Sequence, residues 1–461
     1  MWNWFLPQCP ANLRDKVWVE RRTQWLASQF GSAPLLEQEM VLPTSDFLPT
    51  SFGGSQAEVQ SLLEIVSGYM GTDSNRFDLR FFDGDKPPSP REQLRPSNAA
   101  GLYFRAEGNQ RATIEVATKI LNDPPAVVAT LAHEIAHDRL LGEGRLTGNE
   151  PDHEDLTDLT TVFFGLGIYP ANTVFRTASW STGTMSYWQS SRQGYLKDNV
   201  FGYAMALRAW LRRERSVPWA AYLTTNPQAA CLDGLRFLNR TNDCACHRDS
   251  VLNGVVLPTE ISETELRSGS DTLRVSALMA LWDHPAPTAE HLSAVVDSLG
   301  YPNQYVQFEA ISWLRTQSEL PLKAIHYLIS LTRNGQDEIP LLAAELLGRQ
   351  RPGGEVKTPD GLSQLDELLS LTMRVGEDKL TRLVELLAAY GPKAVTTLPR
   401  FVKVLRSYLV EESFHDVEWL VPLLLQIAPN LDDRLKDNLN DNHFNTYKLM
   451  MKELKRNSGK R

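Results

Sequence analysis

Two of the nine histidines of this 461-residue chain stand four apart, in Leu131-Ala132-His133-Glu134-Ile135-Ala136-His137. On an α-helix, residues four apart lie about 40° from each other around the axis, so both imidazoles leave from one face. Two neutral imidazoles so placed suit adjacent corners of a tetrahedral zinc ion. Glu134 directly follows the first of them and projects beside such an ion rather than onto it. There a carboxylate can take a proton from a zinc-bound water. The residue types point to hydrolysis, with His133 and His137 as ligands and Glu134 as general base.

The flanking sequence has to present this trio. Pro124-Pro125 sits where a helix start tolerates proline, because the first N–H groups lack intrahelical partners. Ala126 to Ala132 continues as an apolar helix into the motif, and Leu140-Leu141-Gly142 reads as an apolar turn and a stop. A helix apolar on nearly all sides is buried, so the trio is expected in a core, where a metal gives buried polar groups a partner. His133-Glu134-Ile135-Ala136-His137 resembles the His-Glu-x-x-His motif of the zincin superfamily of zinc metallopeptidases. A second polar cluster, Pro151-Asp152-His153-Glu154-Asp155-Leu156-Thr157-Asp158, reads as the start of another buried helix with Glu154 and Asp158 on one face. Glu154-Asp155-Leu156-Thr157-Asp158 resembles the Glu-x-x-x-Asp pattern of the gluzincin branch. The resemblance implies Glu154 as third ligand and Asp158 as the buttress of His133. A carboxylate accepting the free imidazole N–H fixes tautomer and ring orientation. From the residues alone, His153, Asp155 and Asp158 stay open as third ligands. The metzincin pattern needs glycine at position 140 and histidine at 143, where this chain has Leu140 and Glu143.

Length and composition bound the rest. A chain this long exceeds one simple core and is expected to form two or three domains. It is 42% hydrophobic and 22% charged, as soluble globular proteins are, and its net charge is −9. That charge argues against broad binding of nucleic acid or anionic membranes, since there is no basic surplus to neutralise phosphates. Four cysteines (Cys9, Cys231, Cys244, Cys246) are too few for a disulfide framework, and Cys244-Ala245-Cys246-His247 reads as ordinary thiols in a turn. The opening residues lack a basic region ahead of their apolar run, and no stretch reaches a membrane span, so a cytoplasmic location is expected.

Taken in order, Val17 to Leu26 reads as a helix with Trp18 and Trp25 as core anchors, and Ala57 to Tyr69 as another with Leu62, Leu63, Ile65 and Val66 as its apolar stripe. Phe77 to Phe82 alternates as a strand, Lys86 to Pro90 is a loop, and Leu102–Arg105 with Thr113–Val116 reads as a hairpin ahead of the metal helix. The zincin resemblance implies that an edge strand of this sheet pairs with extended substrate. Asn199 to Leu211 is expected to be a helix under the site. Tyr169, Tyr187, Tyr195, Tyr203 and Arg176 are candidate oxyanion stabilisers, none singled out by spacing.

From about residue 262 helical segments recur without strands. Ala277, Ala310 and Ala344 fall at steps of 33 and 34 residues, and small residues at a repeated helix position permit close stacking, as in an α-solenoid. Leu386 to Ala394, followed by Leu398-Pro399 and Phe401 to Leu405, resembles a HEAT repeat through its Gly-Pro turn and Leu-Pro helix start. The expected architecture is an α+β zincin-like domain over residues 1–255, with an extension over 1–98 and a catalytic core over 99–255. It pairs a small sheet with buried active-site helices, and an all-α, HEAT-like solenoid follows over 256–461. The expected function is that of a zinc metalloendopeptidase acting on protein or peptide, with a protein partner on the solenoid. An interaction scaffold with a structural or degenerate zinc site, and a hydrolase of non-peptide amides, are the alternatives.

Overall fold

The computed structural model describes residues 7–49, 51–83, 100–105, 111–178, 196–253, 263–282, 287–411 and 413–458. The expected loop at Lys86–Pro90 lies outside them. The chain divides into two compact units, Met1–Glu260 and Ile261–Arg461. Among the described residues, no helix is long and apolar enough to cross a membrane.

The first unit is mostly helical around a three-stranded sheet. Strands β1 (Phe77–Phe82), β2 (Gly101–Phe104) and β3 (Ala112–Ala117) lie in the order β1-β3-β2. Central β3 runs antiparallel to β2, with Tyr103 opposite Ile114, and parallel to β1, with Leu79 opposite Ile114. Its alternation is that of a half-buried strand: Ala112, Ile114 and Val116 are buried, while Thr113 and Glu115 are partly exposed.

The longer helices of this unit are α1 (Leu13–Phe30), α2 (Gln56–Tyr69), α3 (Pro124–His137), α4 (His153–Phe163), α5 (Ile168–Ala178), α6 (Asp198–Leu211) and α7 (Thr225–Thr241). A capping box starts α2: Ser55 accepts from the Glu58 N–H while the Glu58 carboxylate accepts from the Ser55 N–H at 2.9 Å. The buried face of α2 is Val59, Leu62, Leu63 and Val66, whereas Ile65, one position off that stripe, is exposed. Residues from α1, α2, β3, α3, α4 and α6 share one hydrophobic core. Residues 7–49 and 51–83, within the stretch read from the sequence as an extension, contribute to that core and so are part of the body that carries the site. Trp18 and Trp25 pack at the margin of that core, only partly buried.

Between α1 and α6 lies a buried polar network. Lys16 pairs with Glu20 at 3.0 Å, the Tyr203 hydroxyl donates to Glu20 at 2.5 Å, and the Ala245 N–H donates to its other oxygen at 2.8 Å. A buried carboxylate with three donors meets the condition under which burying charge is tolerated.

The second unit is all helix apart from an isolated bridge between Lys357 and Ser363, among the described residues. Helices α8 (Asp271–Ala280), α9 (Ala289–Ser298), α10 (Gln304–Leu314), α11 (Leu322–Asn334), α12 (Ile339–Gln350), α13 (Gln364–Arg374) and α14 (Glu377–Ala388) follow one another. Most pack against both the next helix and the next but one, which makes two layers. Ala277, Ala310 and Ala344 lie on α8, α10 and α12 of one layer and are all buried. With no side chain beyond Cβ, they let successive helices approach closely.

Candidate metal centre

Helix α3 opens with prolines in its first turn, and its cap residue Asp123 accepts from the Ala126 N–H at 3.4 Å. Val127, Val128, Leu131 and Ile135 anchor it in the core. The rings of His133 and His137 then stand 4.8 Å apart and nearly perpendicular. Instead of stopping, the helix widens into a π-helical turn over Asp138–Gly142. That turn places Asp138 inside, where one carboxylate oxygen accepts from the Tyr103 hydroxyl and the other from Arg76, both at 2.9 Å. The Tyr103 ring lies nearly parallel to His137, with centroids 6.1 Å apart.

Helix α4 brings the carboxylates. Its start is fixed by α1: Arg22 grips Asp152 with two bonds of 2.7 and 2.8 Å, and the Trp18 indole adds a third at 2.8 Å. Two residues on, Glu154 Oε2 lies 3.4 Å from His133 Nε2 and 3.4 Å from His137 Nε2. One ligand atom from each of His133, His137 and Glu154 falls within 4.8 Å of the others. No other group of three His, Cys, Asp or Glu side chains does so among the described residues.

The far ring nitrogens are held as well. Asp158 is fully buried; its Oδ1 accepts from His133 Nδ1 at 2.9 Å and its Oδ2 from the Leu196 N–H at 3.0 Å. The Thr157 hydroxyl donates to the His153 carbonyl at 2.7 Å, which leaves its oxygen facing His137 Nδ1 at 3.4 Å. A proton on Nδ1 of each neutral ring leaves its Nε2, the atom that faces Glu154, free to bind a cation.

Electrostatics agree with a cation site. Burial works against ionisation of Glu154, but the contacts from the two histidines outweigh it and hold its carboxyl well below the usual range. Burial likewise disfavours charge on His133, yet Asp158 and Glu154 overcome it and raise its proton affinity. Such a pocket attracts positive charge. Glu134 is 5% exposed, and burial raises its carboxyl while the two histidines pull it back. Gly101 of β2 packs directly on it: a Cβ there would lie 2.6 Å from Glu134 Oε1 and 2.4 Å from Thr130 Cγ2.

No family model, curated protein or solved structure matches the chain. The case for the site is therefore carried by its own geometry.

Among the alternative third ligands, Asp158 is occupied by His133 and Leu196. His153 stands beside Glu154, its Nδ1 3.5 Å from Glu154 Oε1. Asp155 does not join the cluster; burial first, then Asp158 and Asp152, push its carboxyl up to about 6. The oxyanion candidates fare differently from one another. The Tyr169 hydroxyl donates to the Leu42 carbonyl at 3.0 Å, and that of Tyr203 to Glu20, so both are core residues. Tyr187 and Tyr195 lie outside the described residues, as does the side chain of Arg176. Cys244 and Cys246 are buried free thiols, with the Cys244 thiol donating to the Cys246 carbonyl at 3.0 Å. Gly101, Tyr103, Thr157 and Arg76 were missed by sequence reasoning. Only Thr157 carried a signal, one position ahead of Asp158 on the same helix.

Proposed function

We propose that the chain is a zinc metallopeptidase of gluzincin type, with His133, His137 and Glu154 as zinc ligands and Glu134 as general base. The observation that carries this reading is the convergence of two Nε2 atoms on one Glu154 oxygen, with each ring fixed from behind. Ligands about 2.0–2.1 Å from a tetrahedral ion lie about 3.3–3.4 Å apart, since a tetrahedron's edge is about 1.6 times its bond length. Both Glu154 separations are 3.4 Å and the three ligand atoms lie within 4.8 Å of one another, which supports one cation shared by this donor set. When bound there, zinc acidifies water and polarises a carbonyl.

The protein groups divide the remaining work. Glu134 takes the proton from the attacking water and returns it to the leaving amine; its raised proton affinity suits a group that does both. Asp158 and Thr157 keep Nδ1 protonated and Nε2 free. Tyr103 and Asp138 hold His137 from the side.

Among the described residues, strand β2 is a sheet edge. The Ala117 N–H donates to the Ala100 carbonyl at 2.9 Å, so by alternation Leu102 and Phe104 bond to β3. The N–H and C=O of Gly101 and Tyr103 then face the open edge, beside Glu134 and His137. An extended peptide added to that edge would lie along the motif, which favours peptide as substrate. A structural zinc site has four protein ligands and no use for a buried carboxylate beside them. Three ligands and Glu134 favour catalysis over a scaffold. In this reading the second unit is a HEAT-like array that engages a protein partner.

The test is hydrolysis of an unfolded protein substrate by the zinc-loaded chain and by Glu134→Gln. Cleavage by the former, with the variant keeping zinc and losing cleavage, is expected. Zinc-loaded protein that cleaves no peptide bond would return the chain to the scaffold reading, or to another amide.

A further inference from the structure

A cleft lined by charged side chains lies at the end of α6, built from residues outside the metal centre. In Arg212-Arg213-Glu214-Arg215 alternate residues have different uses. Arg212 donates to the carbonyls of Leu36 and Gln38, both at 2.8 Å, and pairs with Glu214 at 2.5 Å. The other Glu214 oxygen accepts from the Trp219 indole at 3.0 Å. Arg213 and Arg215 are exposed, with no ion pair among the described residues, and they line a cleft of about 610 Å³. Trp210, His247, Arg248 and Asp249 line it too. Glu214 and Asn239 complete the lining, so three arginines face two carboxylates and leave it net positive in a chain whose net charge is −9.

The backbone supplies an independent observation. Arg213 has φ 61°, and the Arg213 and Glu214 N–H groups donate to Trp210 and Ala209 carbonyls at 3.0 and 2.9 Å. These crossed bonds make the helix-terminating turn whose left-handed position normally takes glycine or asparagine. An arginine there bears strain that glycine would relieve, and such strain gathers at functional sites.

We propose that this cleft binds a nucleoside phosphate. Arg213 and Arg215 would clamp the phosphate with charge-assisted bonds, which the planar guanidinium makes in pairs. The half-buried Trp210 offers a face for the base. Asp249 and Asn239 on its wall are acceptors for the ribose hydroxyls.

The experiment is calorimetric titration of the full chain with AMP and with inorganic phosphate, alongside thermal melting. AMP should bind more tightly than inorganic phosphate. Arg213→Gly should weaken AMP binding by about tenfold or more while raising the melting temperature, a pairing that a merely structural arginine would not give. Arg215→Gln should weaken AMP binding without that rise, and it serves if the first variant does not fold. No AMP binding at millimolar probe, equal binding of inorganic phosphate, unchanged affinity in the folded variants, or binding of polyglutamate in place of AMP would each overturn the proposal.

Discussion

Replacing Asp158 with asparagine tests how the site holds its ligands. The change keeps shape and removes one acceptor and one charge. Both oxygens of Asp158 are in use at full burial, one on His133 Nδ1 at 2.9 Å and one on the Leu196 N–H at 3.0 Å. An asparagine oxygen can satisfy only one of these donors, and its NH₂ group then faces the other. If it faces Leu196, a buried N–H is left unpaired, at about 1–3 kcal/mol. If it faces His133, the ring can accept only by moving its proton to Nε2, the atom that should bind metal. Either way zinc affinity should fall about 10–100-fold, as when an outer-shell partner of a metal-bound histidine is lost. That range equals about 1.4–2.7 kcal/mol. Competition against a chelator would measure affinity, and denaturation of metal-free protein would measure stability separately. Reduced stability with affinity unchanged would refute the orienting role of Asp158 and leave it a core residue.

Other consequences follow from single contacts. Gly101→Ala puts a methyl into Glu134 and Thr130; overpacking should cost about 1–3 kcal/mol. Peptide hydrolysis should drop about a hundredfold through displacement of the base while zinc stays bound, as activity beside metal content would reveal. In the capping box, the Glu58 carboxyl is lowered by Ser55 and the Gly53 N–H, so its folded-state value is below its unfolded one. Its stabilisation is present above the ordinary carboxylate range and is lost as pH falls through the lowered value. The stability gap between wild type and Glu58→Gln should therefore close on acidification, as denaturation across pH would show. Burial pushes Cys9 and Cys231 up to about 12 and raises Cys244 and Cys246 as well. A thiol reagent at mildly alkaline pH should label the native chain slowly and all four cysteines after unfolding.

The parts of the site written in local spacing were legible in the sequence. The four-residue step between His133 and His137 requires a shared helix face, and the step from Glu154 to Asp158 does the same on α4. What joins distant segments was not legible. Nothing in Arg22 or Trp18 announces that they hold Asp152, more than 120 positions on, because such a bond exists only once α1 packs on α4. The same holds for Arg76 and Tyr103 meeting at Asp138, and for the parallel pairing of β1 with β3 across the intervening β2. Gly142 reads locally as a stop, yet the chain turns through it in a π-helical turn that buries Asp138. The stacking period of the second unit was visible because small buried residues recur in one layer. Ile65 has the apolar character of the stripe but lies one position off the face set by Val59, Leu62 and Val66, and is exposed.

The most direct test of the central claim is zinc content per chain, by elemental analysis, for wild type, His133→Ala, His137→Ala, Glu154→Ala and Glu134→Gln. About one zinc in wild type and Glu134→Gln, lost in the other three, is the expected result. Full zinc retention in folded Glu154→Ala, or no zinc in wild type after supply of the metal, would contradict it.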